Sequence, residues 1–187
     1  GRPTQTGGPE VSRIDELIAR LCPGGVPHVP MRSVGSFVRG SGIQKKDLIV
    51  SGVGAMHYGE IFTHYGTLAR ATKSFISTTL AARARMAAPG ALVIATTSEN
   101  DKDVCKAVAW LGNEPIAVSS DAMIYQHSLD PSYVAYYFQS RGFQTQKSAH
   151  ISGTKVRRVS ADALAKILIP VPPIEVQREL VGILDTF

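Results

Sequence analysis

Between Ile61 and Ser98 the chain has no aspartate or glutamate, and between Pro131 and Ala161 it again has none. The first tract keeps Arg70, Lys73, Arg83 and Arg85, and the second keeps Arg141, Lys147, Lys155, Arg157 and Arg158. Two such tracts would build one positive face if the fold brings them together, whereas ordinary solvated charge is the plain alternative. The overall excess of 20 Lys and Arg over 15 Asp and Glu, a net +5, admits a polyanionic partner without requiring one. Cysteine is as scarce: Cys22 and Cys105 lie in no CxxC or His-rich setting, which argues against a disulfide framework and a structural metal and points to a reduced, cytoplasmic, metal-free protein. No apolar run approaches the roughly 20 residues that cross a bilayer, so no membrane partner is expected. With 44% apolar and 19% charged residues, the chain is too apolar to be disordered, and 187 residues suit one globular unit without repeats.

Catalytic signatures are missing too. There is no GxSxG elbow to set a nucleophile beside a base, and no GxxxxGK[ST] phosphate loop. The glycines at 52–54 do not join a strand to a helix as a nucleotide-binding turn requires. A methyltransferase would need a cofactor-binding sheet and an Asn-Pro-Pro-aromatic loop, and a nuclease would need an acidic metal cluster beside the basic tracts. Neither is found, so no catalytic residue, metal or cofactor is expected.

Spacing gives a coarse map. SRIDELIARLC (12–22) is an amphipathic helix behind a Ser cap, stopped by PGG. Residues 26–61 are Gly-rich with short apolar pairs, which suits brief strands and turns and leaves no room for a helix. KSFIST alternates like a strand, TLAARARM is a short helix, and ALVIATT (91–97) is a buried strand. KAVAWLG and PIAVSSDAMIYQH read as strands around Gly112-Asn113, although DKDVCKAVAW also fits helical spacing, and Trp110 is most simply core. DPSYVAYYFQS (130–140) is a helix with an Asp cap and Pro at its first position. A loop running into a strand, the helical turn ADALAKI and the extended LIPVP follow. Pro173 opens a last helix on which Val176, Leu180, Ile183 and Phe187 keep the rhythm of a coiled-coil seam, widened by Leu184. Packing against the chain's own N-terminal helix is the alternative. The expected division is a flexible lead at 1–10, a domain at 11–172 and the opening of a longer helix at 173–187.

The remaining signal is a set of basic, amide and hydroxyl side chains in predicted loops: QKKD (44–47), MHYG (56–59), TTSENDKD (96–103) and KSAHISGTKVRR (147–158). Such residues read duplex DNA, because Lys and Arg neutralise phosphate while Asn, Ser, Thr and His hydrogen-bond to base edges. Lys45, Lys46, Lys147, Lys155, Arg157 and Arg158 are the expected phosphate contacts. His57, Tyr58, Thr97, Ser98, Asn100, His150 and Thr154 are the candidates for base edges. Any one of them alone is most simply a solvated loop residue; the set carries the reading.

IPVPPIEVQRELVGILDTF closely resembles the segment that ends a target recognition domain and begins the spacer helix in the specificity subunits of type I restriction-modification systems. RIDELIARLCPGGV, GEIFTHYG, ALVIATTSEND, KAVAWLG and SGTKVRRVSADALAKILIPVPP resemble the same family in the same order. The resemblance implies a non-catalytic α+β recognition domain of short twisted strands with a few helices, reading one half of a bipartite site. It implies as partners double-stranded DNA, modification subunits that methylate adenine with S-adenosylmethionine, a restriction subunit, and a second recognition domain or a copy of this chain. The apolar seam of the last helix would then meet a second helix, and this chain would correspond to half a subunit. A protein-interaction module with an incidental basic face is the rival expectation, and a nuclease is a weaker one.

Overall fold

Ser12 opens the residues that the computed structural model describes, 12–187, and it does so as a helix cap. Its hydroxyl accepts the Asp15 amide while the Asp15 carboxylate accepts the Ser12 amide, so leftover donors at the start of helix α1 (Arg13–Leu21) are satisfied reciprocally. The lead expected at 1–10 lies outside the described residues. Strands β1 (His28–Pro30), β2 (Gly35–Arg39) and β3 (Val53–Met56) follow, then helix α2 (Tyr58–Thr63), strands β4 (Leu68–Ala69) and β5 (Ser74–Ile76), and helix α3 (Thr78–Ala81). The middle of the chain is all strand: β6 (Met86–Ala87), β7 (Leu92–Ala95), β8 (Thr97–Ser98), β9 (Lys106–Trp110), β10 (Ile116–Val118) and β11 (Ala122–His127). It ends with α4 (Pro131–Tyr137), α5 (Arg141–Ser148), β12 (Arg157–Arg158), α6 (Ala161–Lys166), β13 (Leu168–Pro170) and α7 (Ile174–Leu184).

Five strands form the central sheet in the order β2-β11-β7-β9-β4, antiparallel except for the β4–β9 pair. Its middle strand, β7, is apolar at every position because both of its faces are covered. Leu92 and Ile94 point into one core while Val93 and Ala95 point into another, the alternation that a pleated strand imposes. The same split puts Ala107 and Ala109 of β9 on the first side and Val108 and Trp110 on the second. Val134 of α4, Phe143 of α5 and Leu164 of α6 fill the first core. Ile61 of α2 fills the second, together with Met56, Ile116 and Val118 from a smaller sheet ordered β5-β3-β10-β6. Behind that sheet a third cluster joins Ile43, Ala55, Ile76 and Ala117, with Leu80 of α3 against it. The architecture is the expected α+β one, with helices and a second sheet layered on a mixed central sheet.

Two helices contradict the sequence reading. Residues 26–61 do contain a helix start: His57 caps α2 by accepting the Gly59 amide at 3.2 Å on Nδ1, and Glu60 Oε1 returns the bond to the His57 amide at 3.0 Å. The other carboxylate oxygen of the buried Glu60 accepts the Ser74 hydroxyl at 2.6 Å, which ties α2 to β5. Helix α5 was hidden by its composition, because RGFQTQKS has a single large apolar residue, Phe143. That ring stacks on Phe138 at 4.1 Å between centroids, and Ser140 caps the helix by accepting the Phe143 amide.

The last helix follows Pro173 as expected, and its first turns pack on the domain. Val176 is fully buried, Leu180 and Val181 lie against the first core, and α7 rests on α4 and α1. Arg13 of α1 meets Glu179 at 3.0 Å, and the buried Gln177 accepts the Asp130 amide and donates to Pro172 O, each at 2.9 Å. The proximal seam is therefore used within the chain, the alternative left open by the spacing. Ile183, Leu184 and Phe187 face solvent, Phe187 almost wholly so.

His127 closes β11 with its Nδ1 accepting the Leu129 amide at 3.2 Å, while its buried Nε2 has no hydrogen-bond partner among the described residues. Burial lowers its pKa from 6.5 to about 4, against the opposing pull of the Asp130 charge and neighbouring backbone groups. Between those values the unfolded chain binds a proton that the folded chain refuses, so stability is complete above pH 6.5 and falls on acidification toward pH 4. This group alone should remove about 3 kcal/mol over that window. Urea unfolding midpoints measured against pH should show the decline, and His127→Gln should flatten it. Equal slopes in both proteins would show that His127 is not the titrating group.

Candidate nucleic-acid interface

Beyond β7 the chain leaves the central sheet and forms a separate ribbon, in which β8 pairs antiparallel with β12, Arg157 opposite Ser98 and Arg158 opposite Thr97. The second strand arrives through a tight hairpin. Ser152 and Arg158 exchange backbone bonds of 2.9 Å each way, which closes a loop of residues 153–157. Gly153 takes φ +93°, and a Cβ there would stand 2.0 Å from Val156 O, so any other residue would have to open the turn. Thr154, Lys155 and Val156 are thereby exposed at the hairpin tip, with Arg158 exposed on its return strand.

The adjoining loop is organised by its own side chains. Asn100 Nδ2 donates to Asp103 Oδ2 at 2.9 Å, and Asn100 Oδ1 accepts the Asp103 amide at 2.8 Å. Asp101 reaches across to Arg157 Nε at 2.9 Å, and Arg157 Nη1 also donates to Gly153 O at 2.6 Å. Beneath both segments lies Lys147, 2% exposed, whose ammonium donates to Asp101 O at 2.9 Å, Lys102 O at 3.2 Å and Val104 O at 3.0 Å. Burial lowers the pKa of this lysine, an effect partly offset by Cys105, Asp101 and Asp103. The loop ends at Cys105, which takes a left-handed φ of 69° and whose thiol is pushed up to about 12 by burial.

On the far side of the ribbon stands α2, with Tyr58 and Phe62 one helical turn apart. They face Thr97, Ser98, Asn100 and Val156 across an open groove of about 530 Å³. Tyr58 is fixed by its amide, which donates to Ser119 Oγ at 2.8 Å, and its ring lies 4.9 Å from that of His57. His57 is half-buried; burial lowers its pKa, the charges of Glu60 and Asp121 oppose that, and Lys45 reinforces it, so Lys45 is an electrostatic neighbour of this corner. Lys45 and Lys46 are exposed on a single 3-10 turn.

The structure therefore gathers Tyr58, Thr97, Ser98 and Asn100 in one groove, with Arg157 and Arg158 on the strand that pairs with its rim. His57 and Lys45 adjoin it, and His150 is part-exposed between α5 and the hairpin. Three expectations change. Lys147 is not a phosphate contact but an interior group whose donors are engaged by carbonyls. Arg157 and Asn100 already hold intramolecular partners, the first through Asp101 and the second through Asp103. The cations of the first acid-free tract line other clefts, Arg70 beside Gly52 and Trp110, and Arg83 beside Ser41 and Leu80. Sequence reasoning missed Phe62, Glu99, Asp103 and Val156 as groove residues. The placement of Phe62 became legible only once α2 was recognised as a helix. Among the described residues no three His, Cys, Asp or Glu side chains are grouped to hold a metal ion.

Replacing Lys147 by Met keeps the stem but strands buried carbonyls without a donor. That change should cost about 3 kcal/mol in denaturant unfolding. Amide exchange should quicken most over residues 99–105 and 152–158, the segments that the ammonium and the Asp101–Arg157 pair hold together. Exchange that rises evenly along the chain, or not at all, would contradict this placement of the constraint.

No protein-family model and no curated protein matches the chain. Solved structures do match it. A structure described as showing complex assembly and conformational transition of the type I R-M system aligns with a TM-score of 0.62 at 18% identity, covering 86% of this chain and 37% of that one. The HsdS subunit from Thermoanaerobacter tengcongensis aligns at 0.59 and 17% identity, covering 92% and 41%. The S subunit of a type I restriction-modification system from M. genitalium aligns at 0.57 and 10% identity, covering 87% and 38%. At these identities the likeness is one of fold, and the chain spans about two-fifths of the length of each matched protein. The chain thus shares the fold of part of the S subunits of type I restriction-modification systems.

Proposed function

We propose that this chain is a sequence-reading domain for double-stranded DNA, acting as the specificity subunit, or half of one, of a type I restriction-modification complex. The observation that carries the reading is the convergence of Tyr58, Thr97 and Ser98 on one groove beside the exposed cations of a hairpin, on the shared fold. Phosphate neutralisation falls to Lys155 and Arg158, with Lys45 and Lys46 extending the footprint past His57. Base edges meet Tyr58, Thr97, Ser98 and Thr154, with His57 and His150 at the margins. Such a domain reads one half of a bipartite site. Partner modification subunits methylate adenine there, a restriction subunit joins them, and the whole assembly is cytoplasmic. The chain itself is non-catalytic and holds no cofactor.

A second reading rests on the exposed end of α7, where Ile183, Leu184 and Phe187 are left uncovered. In that reading the terminal helices dock a methyltransferase subunit, or the equivalent helix of a second recognition domain, and the isolated chain binds DNA weakly.

Affinity for duplex DNA should fall with salt, with a log-log slope of about −0.9 per phosphate contact. Arg158→Ala and Lys155→Ala should each reduce that slope by about 1 and weaken all sequences alike. Ser98→Ala and Tyr58→Phe should instead change which sequences are selected, by about 1–3 kcal/mol at the affected position. Salt-independent binding, or one common behaviour for both groups of variants, would argue against this division. Capture of a modification subunit by a chain that retains no DNA would favour the second reading.

A further inference from the structure

Among the described residues no cation lines the groove. Its aromatic wall is Tyr58 and Phe62, its hydroxyl side is Thr97 and Ser98, and its charged members are the carboxylates of Glu99 and Asp103. Such a slot repels phosphate and favours a hydrogen-bond donor, although the ribbon beside it carries the positive residues of the hairpin. The neighbouring acids are occupied: Asp103 takes the Asn100 amide at 2.9 Å, and Asp101 takes Arg157 at 2.9 Å. Glu99 is exposed and has neither an ion-pair nor a side-chain hydrogen-bond partner among the described residues. Asn100 has its carbonyl oxygen and one amide hydrogen already engaged by Asp103, which fixes the amide within its own loop. Of the two carboxylates that line the groove, Glu99 is therefore the free acceptor, while Lys102, the exposed cation of this loop, lines a different cleft.

We infer that Glu99 is a specificity-determining residue that accepts the exocyclic amino group of a cytosine or adenine presented to the groove. This rests on the DNA-reading function proposed above and deepens it. A carboxylate is the side chain suited to the N4 amino group of cytosine, and the N6 amino group of adenine presents the same donor. Thymine and guanine offer the major groove only acceptors and a methyl group, and would leave the carboxylate desolvated against an oxygen. A cationic peptide is the other donor-bearing ligand that such a slot admits, but Lys155 and Arg158 on the adjoining hairpin disfavour it.

Parallel selections from random duplexes with the unaltered chain and with Glu99→Ala provide the test. Glu99 is exposed, so the variant retains its fold, which circular dichroism checks. At one position the unaltered chain should prefer a base with an amino group, and Glu99→Ala, which removes the acceptor, should lose about tenfold of that preference while other positions stay fixed. Duplexes carrying 2-pyrimidinone in place of cytosine, or purine in place of adenine, delete the amino group alone and show which base supplies it. They should bind the unaltered chain about tenfold more weakly and the variant no worse than the parent duplex. Identical selected sequences from both proteins would overturn the role of Glu99 while leaving DNA reading intact. So would uniformly tighter binding by the variant, which is the mark of a merely repulsive charge. Displacement of groove probes by oligolysine but not by duplex would assign the slot to a cationic partner and overturn it as well. Absence of any sequence preference in the unaltered chain would instead bring down the DNA reading, and this inference with it.

Discussion

A buried ammonium holds the candidate surface together. Transferring a lysine charge from water to the interior costs several kcal/mol, and Lys147 offsets it by donating to Asp101 O, Lys102 O and Val104 O at the turn that begins β9. That turn then fixes the side chain of Asp101, which fixes Arg157, which in turn fixes the carbonyl of Gly153. One desolvated charge thus links helix α5, the loop after β8 and the hairpin before β12. The loop and hairpin have no packed core of their own, because most of their residues from 99 to 103 and 152 to 158 are exposed. The β8–β12 pairing sets the bases of the two segments, the ammonium and the Arg157 bridge hold their exposed parts, and base readout needs groups held in place before the ligand arrives.

The layers beneath make such a surface possible. Since β7 is covered on both faces, its carboxyl end is held rigidly, and β8 leaves it after a single residue, the buried Thr96. On the neighbouring layer α2 begins directly after β3, and its reciprocal cap between His57 and Glu60 sets the rotation that turns Tyr58 and Phe62 toward the groove. Glu60 also bonds to Ser74, so the helix cannot roll without breaking a part-buried hydrogen bond. The groove is thus framed by α2, which packs on the second core, and by the ribbon that leaves the end of β7.

Patterns that report burial were legible from sequence. ALVIATT showed β7 because continuous apolar character is what a strand buried on both faces requires, and DPSYVAYY showed α4 because Asp130 and Pro131 mark a helix start. KAVAW resolved as β9 although its spacing also suited a helix, since it lies between β7 and β4 in the sheet. Helix α2 escaped because its cap is a histidine, not the usual hydroxyl or carboxamide residue, and because it spans only Tyr58–Thr63. Helix α5 escaped because a polar helix anchored by one phenylalanine and one buried lysine has no apolar stripe to detect. Charge misled for a related reason: a lysine in a basic tract looks the same whether its ammonium faces solvent or three carbonyls. At α7 the a/d spacing was legible, but one pattern served two surfaces, with Val176 turned inward and Ile183 turned out.

The difference between structural and available polar groups reorganises the candidate site. Lys147, Asn100 and Arg157 are of the residue types that contact DNA, yet each already has intramolecular partners. A ligand would have to break those bonds, at a cost of about 1–3 kcal/mol for each carbonyl left by the buried lysine and of about 0–1 kcal/mol for each of the two more exposed pairs. Lys155 and Thr154 make no such commitments among the described residues, and the side chain of Arg158 is free while its backbone pairs with Ser152 and Thr97. A phosphate meeting those side chains exchanges only water, so they are the cheaper contacts even though they are the more mobile ones. Affinity on this surface is therefore expected to come from the hairpin tip and its return strand, and discrimination from the groove, where water is harder to replace and a mismatched donor or acceptor is more costly.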